Sequence, residues 1–442
     1  MSQPANQRSL IILPSENQTR EFDAKLLLAC ALAERGHEVI VGARHDIHNR
    51  IADFPPGVYV AKDFRKPSER ILPLIAGLGH RIVAWDEEGL VQPIPRLYYE
   101  RRYSLEALAS VEACFAWGPA NRLLMERAPN WPKLPIHDTG NPRLDLLRPE
   151  LRGFHHANIM RLKSQHGRFI LFDSNFASFN PALPHAAPVL FEKGGTLSPF
   201  LQGRLRLFAR WQKLIPQLAK AIAPIKIIVR PHPAESHEIW REIAKPASNI
   251  VVAHEGSALA WILASEVMLH SGCTTGLEAA FMGHPVLAFW PEDLTELAAD
   301  LPDSLSVVLK SEEALVAKVQ AVVAGRVVFC ATPAQQAVAE NAAFALKGPL
   351  ASDRIAAILT EMQPHDGRTR IAVAKARLRQ VEKWLTGLNS RHKTSAKANA
   401  MRYPGISHSE VEEKIAAFRH SLRRFDNVKS QPVGRQIYRV LV

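Results

Sequence analysis

Apolar residues in the amino-terminal part of the chain fall into short uninterrupted runs, and the stretches between the runs carry apolar residues at helical spacing. A run that is apolar throughout is typical of a parallel strand buried on both faces, and helical spacing is typical of a helix that covers such a sheet. The first predicted helix, residues 21–36, ends at Gly36, a common helix-terminating residue. The predicted strands are 9–14, 37–43, 57–61, 81–85 and 113–118.

The same rhythm restarts at residue 168, after a segment GNPRLD (140–145) that we expect to build the crossover between two domains. Strands that alternate with helices predict a second doubly wound sheet. Two such domains place the loops at their strand ends along one interdomain cleft. The second set of predicted strands is 168–175, 225–233 with its turn, 249–253, 266–272 and 284–290, with helices near 200–223 and 274–283. We therefore predict an α/β protein with two Rossmann-like domains, 1–148 and 149–364, followed by a basic helical extension, 365–442.

Residues 365–442 carry most of the positive charge of the chain. The whole chain has a formal net charge of +12, and this segment alone holds 17 Lys and Arg against 6 Asp and Glu, a net charge of +11. Its pattern predicts a basic amphipathic helix over 368–388 and a second helix over 407–425. Ser409 and Glu412 are spaced as a capping box for the second helix.

Three roles are open for this basic segment. A nucleic-acid arm is the weakest, because neither interleaved aromatic residues nor a known nucleic-acid module accompanies the charge. A brace packed back onto the domains and attraction to an anionic membrane leaflet are both compatible with the pattern. We therefore expect no nucleic-acid partner, and an anionic membrane surface is a candidate partner for residues 365–442.

The composition is that of a globular protein. Of the 442 residues, 47% are hydrophobic and 22% are charged, both near the average. No apolar run approaches the roughly 20 residues of a membrane-spanning helix, and the amino terminus lacks a signal-peptide pattern. The four cysteines are far apart and show no metal-ligand spacing. We expect a cytoplasmic protein, with peripheral attachment to the inner face of the plasma membrane as a further option.

An acidic cluster, Asp86, Glu87 and Glu88 followed by Gly89, comes directly after the predicted strand 81–85. Adjacent like charges repel, so the cluster adds nothing to the stability of a strand end. A solvated turn is the plain interpretation. The sharper one is a general base at a cleft, because acidic neighbours raise the pKa of a carboxylate. Alternation along an extended segment would point Asp86 and Glu88 one way and Glu87 the other.

Two later segments are suited to a phosphate. In IKIIVRPHPAE, Arg230 and His232 leave a strand end, and Pro231 and Pro233 restrict the backbone around them. A rigid loop fixes a guanidinium and an imidazole before an anionic ligand arrives. The plain alternative is a proline-rich turn whose histidine caps a neighbouring carbonyl, and the pattern does not decide between the two.

The segment HSGCTTGLEA carries the second phosphate signal. Small hydroxyl residues and glycines precede a predicted helix, where free backbone N–H groups and the helix dipole favour anions. A simple helix N-cap explains the hydroxyl residues but not the glycines as well. Glu278, one turn into the helix, is placed to reach a ribose hydroxyl. The candidate phosphate-binding residues are Ser271, Gly272, Thr274 and Thr275, with Gly276 allowing close backbone approach.

Taken together, WDEEGL, GNPRLD, RPHPAE and HSGCTTGLEA resemble, in this order, the bacterial sialyltransferases and related transferases of Kdo and other acidic sugars. The resemblance is greatest to surface-carbohydrate biosynthesis proteins of Gram-negative bacteria, and it covers about residues 8–360. It implies a GT-B fold and an inverting, metal-independent transfer of an acidic keto sugar from a CMP-activated donor. The implied acceptor is a lipid-linked or oligosaccharide surface glycan, such as lipopolysaccharide, O-antigen or capsule, and no cofactor or metal is implied.

The resemblance also implies roles for individual residues. Glu87 matches the general base, with Glu88 and then Asp86 as the next choices, because a third acid leaves the register open by one. His232 matches the histidine that contacts the CMP phosphate and assists its departure. Ser271, Thr274 and Thr275 match the Ser/Thr motif that binds the same phosphate. The sequence has no potential partner residue at a recognisable motif spacing from His254, His270 or His284. We therefore expect these three to be ordinary core or loop histidines.

Acceptor contacts are predicted at strand ends that carry less specific signals. Arg20 and Glu21 follow the first strand, and Asn175 follows the first strand of the second domain. Rival functions are a glycerophosphotransferase with a CDP-alcohol donor, a nucleotide-sugar 2-epimerase of the same architecture, and a non-catalytic polysaccharide-binding partner. Such epimerases have a sequence resembling DSGG at this position, whereas this chain has SGCTTG (271–276).

Overall fold

A computed structural model describes residues 9–91, 95–182, 197–297, 300–365, 367–387 and 402–442. The chain forms two compact units. The first unit comprises Met1–Phe154 and Glu340–Val442, and the second comprises His155–Ala339. Each unit has its own sheet, built around parallel strands, so the predicted fold of two Rossmann-like domains is confirmed.

The sheet of the first unit forms where the sequence is apolar at successive positions. Ile11, Ile12 and Val39 are completely buried, as expected of strands that are covered on both faces. The parallel strands run in the order β2-β1-β3-β4-β5-β6. Their bounds are β1 Leu10–Ser15, β2 Glu38–Ala43, β3 Val58–Ala61, β4 Arg81–Ala84, β5 Ala113–Phe115 and β6 Ile136–His137.

The helices of the first unit lie between these strands. A π-helical turn, Gln18–Phe22, leads into the first helix, which is shorter than the predicted 21–36. Ten of the eleven residues of this helix are buried, because carboxyl-terminal helices pack on it in addition to the sheet. The helices are α1 Asp23–Ala33, α2 Arg44–Asn49, α3 Leu72–Gly77, α4 Pro95–Arg102, α5 Leu105–Leu108, α6 Pro119–Glu126 and α7 Pro142–Asp145.

The second unit is built on six parallel strands in the order β12-β11-β10-β7-β8-β9. Its core includes Phe172, whose ring stacks on Trp211 with centroids 4.1 Å apart. The strands are β7 Phe169–Ser174, β8 Lys226–Pro231, β9 Ile250–Val252, β10 Met268–His270, β11 Val286–Phe289 and β12 Val307–Leu309. The helices are α8 His156–His166, α9 Pro199–Ile222, α10 Glu238–Ala244, α11 Ala258–Ala264, α12 Thr274–Phe281, α13 Asp300–Ser304, α14 Glu312–Val323 and α15 Pro333–Ala342.

The carboxyl-terminal part of the chain belongs to the first unit. The chain rejoins the first unit at residue 340 rather than leaving the second domain at 364. It ends in a β-hairpin whose second strand pairs antiparallel with β2 and so extends the first sheet. The elements are α16 Ala351–Thr360, α17 Arg370–Gly387, α18 His408–Leu422, β13 Lys429–Gly434 and β14 Ile437–Leu441.

The capping box of α18 lies two residues earlier than predicted. Ser407 is the N-cap residue and exchanges hydrogen bonds with Glu410. The predicted pair is engaged elsewhere: Ser409 donates to Glu413, and Glu412 accepts from the backbone and hydroxyl of Ser430. Glu412 therefore ties the helix to the hairpin instead of capping the helix.

The basic charge of this segment is partly neutralised by acids of the first unit. Arg377 pairs with Asp53 at 2.7 Å, and Lys414 pairs with Asp23 at 2.9 Å. Arg424 lies between Glu34 and Asp353. These ion pairs and the added strand make residues 340–442 a brace of the first unit. Among the described residues, no helix is both long enough and apolar enough to span a bilayer.

Candidate functional site

The acidic cluster lies in a turn at the carboxyl end of β4. The N–H of Gly89 donates to the carbonyl of Asp86 at 2.9 Å, so the segment is not extended. The predicted alternation of the three carboxylates therefore does not apply. Each carboxylate instead meets its own cation, which removes the repulsion expected of three adjacent acids.

The contacts of Asp86 hold the turn together. Its carboxylate accepts a bidentate pair of hydrogen bonds from Arg102, one of them from Nε at 2.7 Å. Its backbone carbonyl accepts from Trp117 Nε1 at 2.6 Å. The residue is buried. These contacts fix the turn and leave Asp86 the least suited of the three acids to meet a substrate.

Glu87 belongs to a buried group of charges. Its Oε2 lies 2.7 Å from Trp85 Nε1 and 3.2 Å from Lys25 Nζ, and only 2% of its side chain is exposed. Lys25 Nζ also lies 2.8 Å from Glu21 Oε2. One ammonium group thus lies between two carboxylates, and Arg143 donates to the backbone carbonyl of Glu87 at 3.1 Å.

Glu21 is part of this group and does not project to an acceptor as predicted. Its carboxylate accepts from the backbone N–H groups of Glu16 and Asn17 and from Lys25. Burial raises the pKa of Glu21, but the charges of Lys25 and Lys62 outweigh burial and lower it to about 2. The carboxylate therefore remains ionised and holds the loop after β1 in place.

Glu88 is the most exposed of the three acids, with 40% of its side chain accessible. Its Oε1 lies 2.7 Å from Nη1 of Arg20, which brings together two of the predicted site residues. Burial raises the pKa of Glu88, but the guanidinium groups of Arg20 and Arg143 outweigh it and hold the pKa below its ordinary value. This pair is accessible to a ligand, and the predicted acceptor contact of Arg20 stays a prediction.

The sequence analysis missed a cluster of cations around Glu16 at the end of β1. Its carboxylate lies 2.5 Å from Lys62, 3.1 Å from Arg44 and 2.9 Å from Arg402. The charges of Glu21 and Asp63 also act on Arg44 and Lys62, so several acids and cations meet at this point. Glu16 lies in the loop after β1, close to the predicted Arg20 and Glu21, but Arg402 comes from the distant basic segment, and local sequence carries no signal for that contact.

Arg143 and Asp145 of the segment GNPRLD contact different parts of the first unit. Asp145 accepts hydrogen bonds from the N–H groups of Ala351 and Ser352, at 2.7 and 2.8 Å, and so caps α16. Arg143 stacks on Trp117, with 5.4 Å from its guanidinium carbon to the ring centroid. Asp145 therefore anchors the returning chain, and Arg143 supports the acidic turn.

In the second unit, Arg230 and Asp173 occupy register-matched positions on the adjacent strands β8 and β7. Arg230 is 8% exposed and donates from Nη2 to the carbonyl of Gly256 at 2.9 Å. Its buried Nε has no hydrogen-bond partner among the described residues. Burial raises the pKa of Asp173, against the opposing charge of Arg230.

His232 is exposed, together with Pro233, just beyond β8. Its Nδ1 accepts the backbone N–H of Ala234 at 3.1 Å. An accepting Nδ1 assigns the proton of the neutral ring to Nε2, which makes that nitrogen a hydrogen-bond donor.

Two further histidines lie beside this loop, and the sequence analysis did not select them. The rings of His237 and His254 are 5.5 Å apart in an edge-to-face arrangement. Burial, and then the charges of Arg230 and His237, lower the pKa of His254 to about 4. The Nδ1 of His254 is buried and has no hydrogen-bond partner within the described ranges. His254 therefore lies in the loop after β9, beside Arg230.

A buried carboxylate, Glu235, holds the loops of this site together. It accepts from the hydroxyl of Ser174 at 2.7 Å, the N–H of Phe176 at 2.9 Å and Trp240 Nε1 at 2.8 Å. The ends of β7 and β8 and helix α10 therefore converge on one side chain. The segment RPHPAE contains this residue, but its spacing gives no sign of the network.

The hydroxyl of Ser271 is engaged inside the protein. It donates to the carbonyl of Phe289 at 2.8 Å and accepts from Trp211 Nε1 at 2.9 Å, and the residue is buried. A phosphate contact from this hydroxyl, as predicted, would require these bonds to break. Gly276 also serves packing, because an added Cβ would lie 2.5 Å from Nε2 of His270.

The remaining predicted residues surround the start of α12. The N-cap residue, Cys273, makes no side-chain cap hydrogen bond. Thr274 is half-buried, and Gly272 adopts a left-handed conformation with φ of +70°. The hydroxyl of Thr275 donates to Cys273 Sγ at 2.9 Å and makes a hydrogen bond with Asp173.

Glu278 lies in the same electrostatic environment, where its charge contributes to the raised pKa of Asp173. Asp173 therefore connects the start of α12 to Arg230. No group of three or more His, Cys, Asp or Glu residues suited to a metal ion occurs in the part of the chain that the structure describes.

Asn175 belongs to the second unit and ties two of its loops. Its Nδ2 donates to the carbonyl of Ser271 at 3.3 Å, and its Oδ1 accepts from Arg204 at 2.8 Å. Arg204 also donates to the carbonyl of Ser271 at 3.2 Å. The predicted acceptor contact of Asn175 stays a prediction, and its observed role is to position the loop before α12.

Comparison with solved structures identifies similar folds at low sequence identity. The UDP-GlcNAc 2-epimerase of Methanocaldococcus jannaschii aligns at a TM-score of 0.50 and 13% identity, over 80% of this chain and 99% of the epimerase. The likeness shows the fold: two Rossmann-like domains of the GT-B type.

Two other structures align with lower scores. The wall teichoic acid polymerase TagF gives 0.47 at 10% identity over 83% and 89% of the two chains. HepE of Anabaena gives 0.38 at 12% identity over 86% and 99%. No protein-family model matches the chain, and comparison with curated protein sequences gave no match.

Proposed function

We propose that this protein is an inverting GT-B glycosyltransferase that uses a nucleotide-activated sugar. The observation that carries the proposal is the group of Arg230, His232, His237 and His254 after β8 and β9, beside the start of α12. A guanidinium at the end of β8 and three imidazoles on the following loops, one of which a buried carboxylate holds in place, are suited to a phosphate group. We infer further that the donor is a CMP-linked acidic keto sugar, of the sialic-acid or Kdo kind, and that the acceptor is a surface glycan.

The proposed phosphate contacts follow from the chemistry of these side chains. His232 would donate from Nε2, because its Nδ1 already accepts a backbone N–H. The unpartnered Nε of Arg230 and the nearby His254 supply a second donor and a neutral imidazole that a bound anion would make more basic. Fixed donors stabilise the second negative charge that develops on the phosphate as CMP leaves with the electron pair.

Glu87 is the proposed general base. The Glu21–Lys25–Glu87 group holds two carboxylates around one ammonium. Because the charges of Lys25 and Lys62 lower the pKa of Glu21 to about 2, Glu21 stays ionised and keeps Lys25 beside Glu87. Trp85 and Lys25 both contact Oε2 and fix the orientation of the carboxylate.

The reaction then balances without a further reactant. Glu87 takes the proton of the acceptor hydroxyl, and the acceptor oxygen forms a bond to the anomeric carbon. The bond from that carbon to the phosphate oxygen breaks, and CMP leaves with the electron pair. Displacement from the face opposite the leaving group inverts the anomeric configuration.

The cations around Glu16 support an acidic substrate. Arg44, Lys62 and Arg402 surround Glu16, and the charges of Glu21 and Asp63 also act on this group. A carboxylate or phosphate on the acceptor would be attracted to these cations, whereas a neutral sugar would not. This feature lies in the first unit, which we propose as the acceptor-binding domain.

Donor-dependent nucleotide release tests the proposal. The purified protein is incubated with CMP-sialic acid, CMP-Kdo, CDP-glycerol or UDP-GlcNAc, with and without oligosaccharide acceptors, and nucleotide products are separated by chromatography. Release of CMP from a CMP-sugar, with a new glycoside, supports the transferase. Release of CMP from CDP-glycerol identifies a glycerophosphotransferase. Conversion of UDP-GlcNAc into its C2 epimer, without transfer of the sugar, identifies a 2-epimerase. Either of the last two results overturns the proposed donor.

A further inference from the structure

We propose that the outward face of α17 docks onto an anionic lipid surface. Ile371, Leu378 and Val381 are 70%, 63% and 53% exposed, and all three lie on this one helix. At 100° per residue they fall within about 80° of one another around the helix axis, so they form one stripe. The proposal is independent of the donor and acceptor assigned above.

The opposite face of α17 is fixed to the first unit. Ala372 and Ala376 are buried in the core that contains α3. Before the helix, Arg368 Nη1 donates to the carbonyl of Ala52 at 2.9 Å, and within it Arg377 pairs with Asp53. The helix is therefore held in place by contacts that do not involve the apolar stripe, and the stripe remains exposed.

Basic residues flank the stripe on both sides. Lys375 and Arg379 lie along one edge and Arg370 along the other, by the same angular spacing, and one acid, Glu382, lies between Ile371 and Lys375. The cations still outnumber the acid by three to one, and a helix with an apolar stripe and an excess of flanking cations binds in the interface of a bilayer with anionic headgroups. A nucleic acid would use the cations but would gain nothing from three exposed aliphatic side chains, so the charge and the stripe together favour lipid.

Vesicle co-sedimentation with the full-length protein tests the proposal. The vesicles are pure phosphatidylcholine, or phosphatidylcholine with about one third anionic phosphatidylglycerol. We expect binding to the anionic vesicles only, weakened by about 0.5 M salt. The triple variant Ile371→Gln, Leu378→Gln, Val381→Gln should lower the partition coefficient by more than about tenfold. The double variant Lys375→Gln, Arg379→Gln should lower it by roughly tenfold or more.

Matched control variants change the same number of exposed residues elsewhere. The apolar control is Leu123→Gln, Met160→Gln, Val328→Gln, and the charge control is Lys163→Gln, Lys220→Gln. Both should bind as the wild-type protein does. The proposal is overturned if the wild-type protein stays in the supernatant, binds neutral vesicles equally, or loses binding equally in the controls.

A second outcome would assign the stripe to another partner. If the wild-type protein dimerises in sedimentation velocity and the triple variant is monomeric without any vesicle binding in either, the face is a contact between copies of this chain. That result also overturns lipid docking. Unchanged circular dichroism would show that the exposed substitutions leave the fold intact.

Discussion

Lys25 Nζ lies 3.2 Å from Oε2 of Glu87, and the two side chains are only 3% and 2% exposed. The first helix of the chain thus supplies the cation for an acid that follows the fourth strand. An ammonium ion is costly to bury unless it is paired, and Lys25 is paired twice, with Glu21 and Glu87. The acidic turn is therefore neither a fully solvated turn nor a cluster of unpaired, mutually repelling carboxylates, as its sequence alone suggests.

Removing the cation from this group should be strongly destabilising. Lys25→Met leaves two buried carboxylates without their counterion, and we expect a loss of about 3–5 kcal/mol in the free energy of unfolding. Denaturant unfolding measures the loss. The double variant with Glu87→Gln should recover part of it, since one uncompensated charge is gone. Strictly additive losses would show that Lys25 and Glu87 do not interact.

The two candidate bases should differ in turnover. Glu87→Gln should lower kcat for acceptor-dependent nucleotide release by about a hundredfold or more, because general-base catalysis contributes at least that factor. Glu88→Gln should raise KM more than it lowers kcat, because this exposed acid pairs with Arg20. The reverse pattern would assign the base to Glu88.

Glu235 should matter for both stability and nucleotide affinity. In Glu235→Gln an amide N–H₂ group replaces one oxygen among several donors, and we expect a loss of about 2–3 kcal/mol in unfolding free energy. Nucleotide affinity should fall with it, since the loop that carries His232 is no longer fixed. Glu238→Gln, an exposed neighbour on α10, is the control. Equal losses of stability and nucleotide affinity in both variants would show that Glu235 has no special structural role.

Stability should fall as the pH drops from 7 to 5, partly through His270. Burial lowers the pKa of His270 to about 3 in the folded protein, whereas an unfolded histidine has a pKa of about 6.5. The unfolded state therefore takes up the proton first, and about 2 kcal/mol of stability is lost by pH 5. Asp145, with its pKa raised to about 6 by burial, acts in the opposite direction over this range.

The variant His270→Asn isolates this contribution. It should be less stable than the wild type at pH 7, since packing and the bond to Ser306 are lost. Its melting temperature should nevertheless fall less between pH 7 and pH 5. Parallel pH profiles for the two proteins would exclude His270 as a source of the acid sensitivity.

The sheets could be predicted from the sequence because their signal is local. The run at Leu10–Ser15 and the strand at Arg81–Ala84 match the predicted 9–14 and 81–85 within a residue. The hairpin of β13 and β14 was missed because its stabilising contact is with β2, far away in sequence. Pro432 and Gly434 inside β13 also weaken the local strand pattern.

The site could be predicted only as a set of loops. The sequence located Glu87, Arg230 and His232 at strand ends, where the structure also has them. It could not predict that Ser271 points its hydroxyl into the core, or that His254 lies beside Arg230, because both depend on which strands are neighbours in the sheet.

Calorimetric titration with CMP, CDP, UDP and GDP tests the central claim most directly. The wild-type protein is compared with His232→Ala and with His156→Ala, an exposed histidine of the same unit that serves as the control. We predict that CMP binds most tightly, that His232→Ala weakens it at least about tenfold, and that His156→Ala leaves it unchanged. Preference for UDP or GDP, or no nucleotide binding, would contradict a CMP-sugar transferase with its phosphate site at Arg230 and His232.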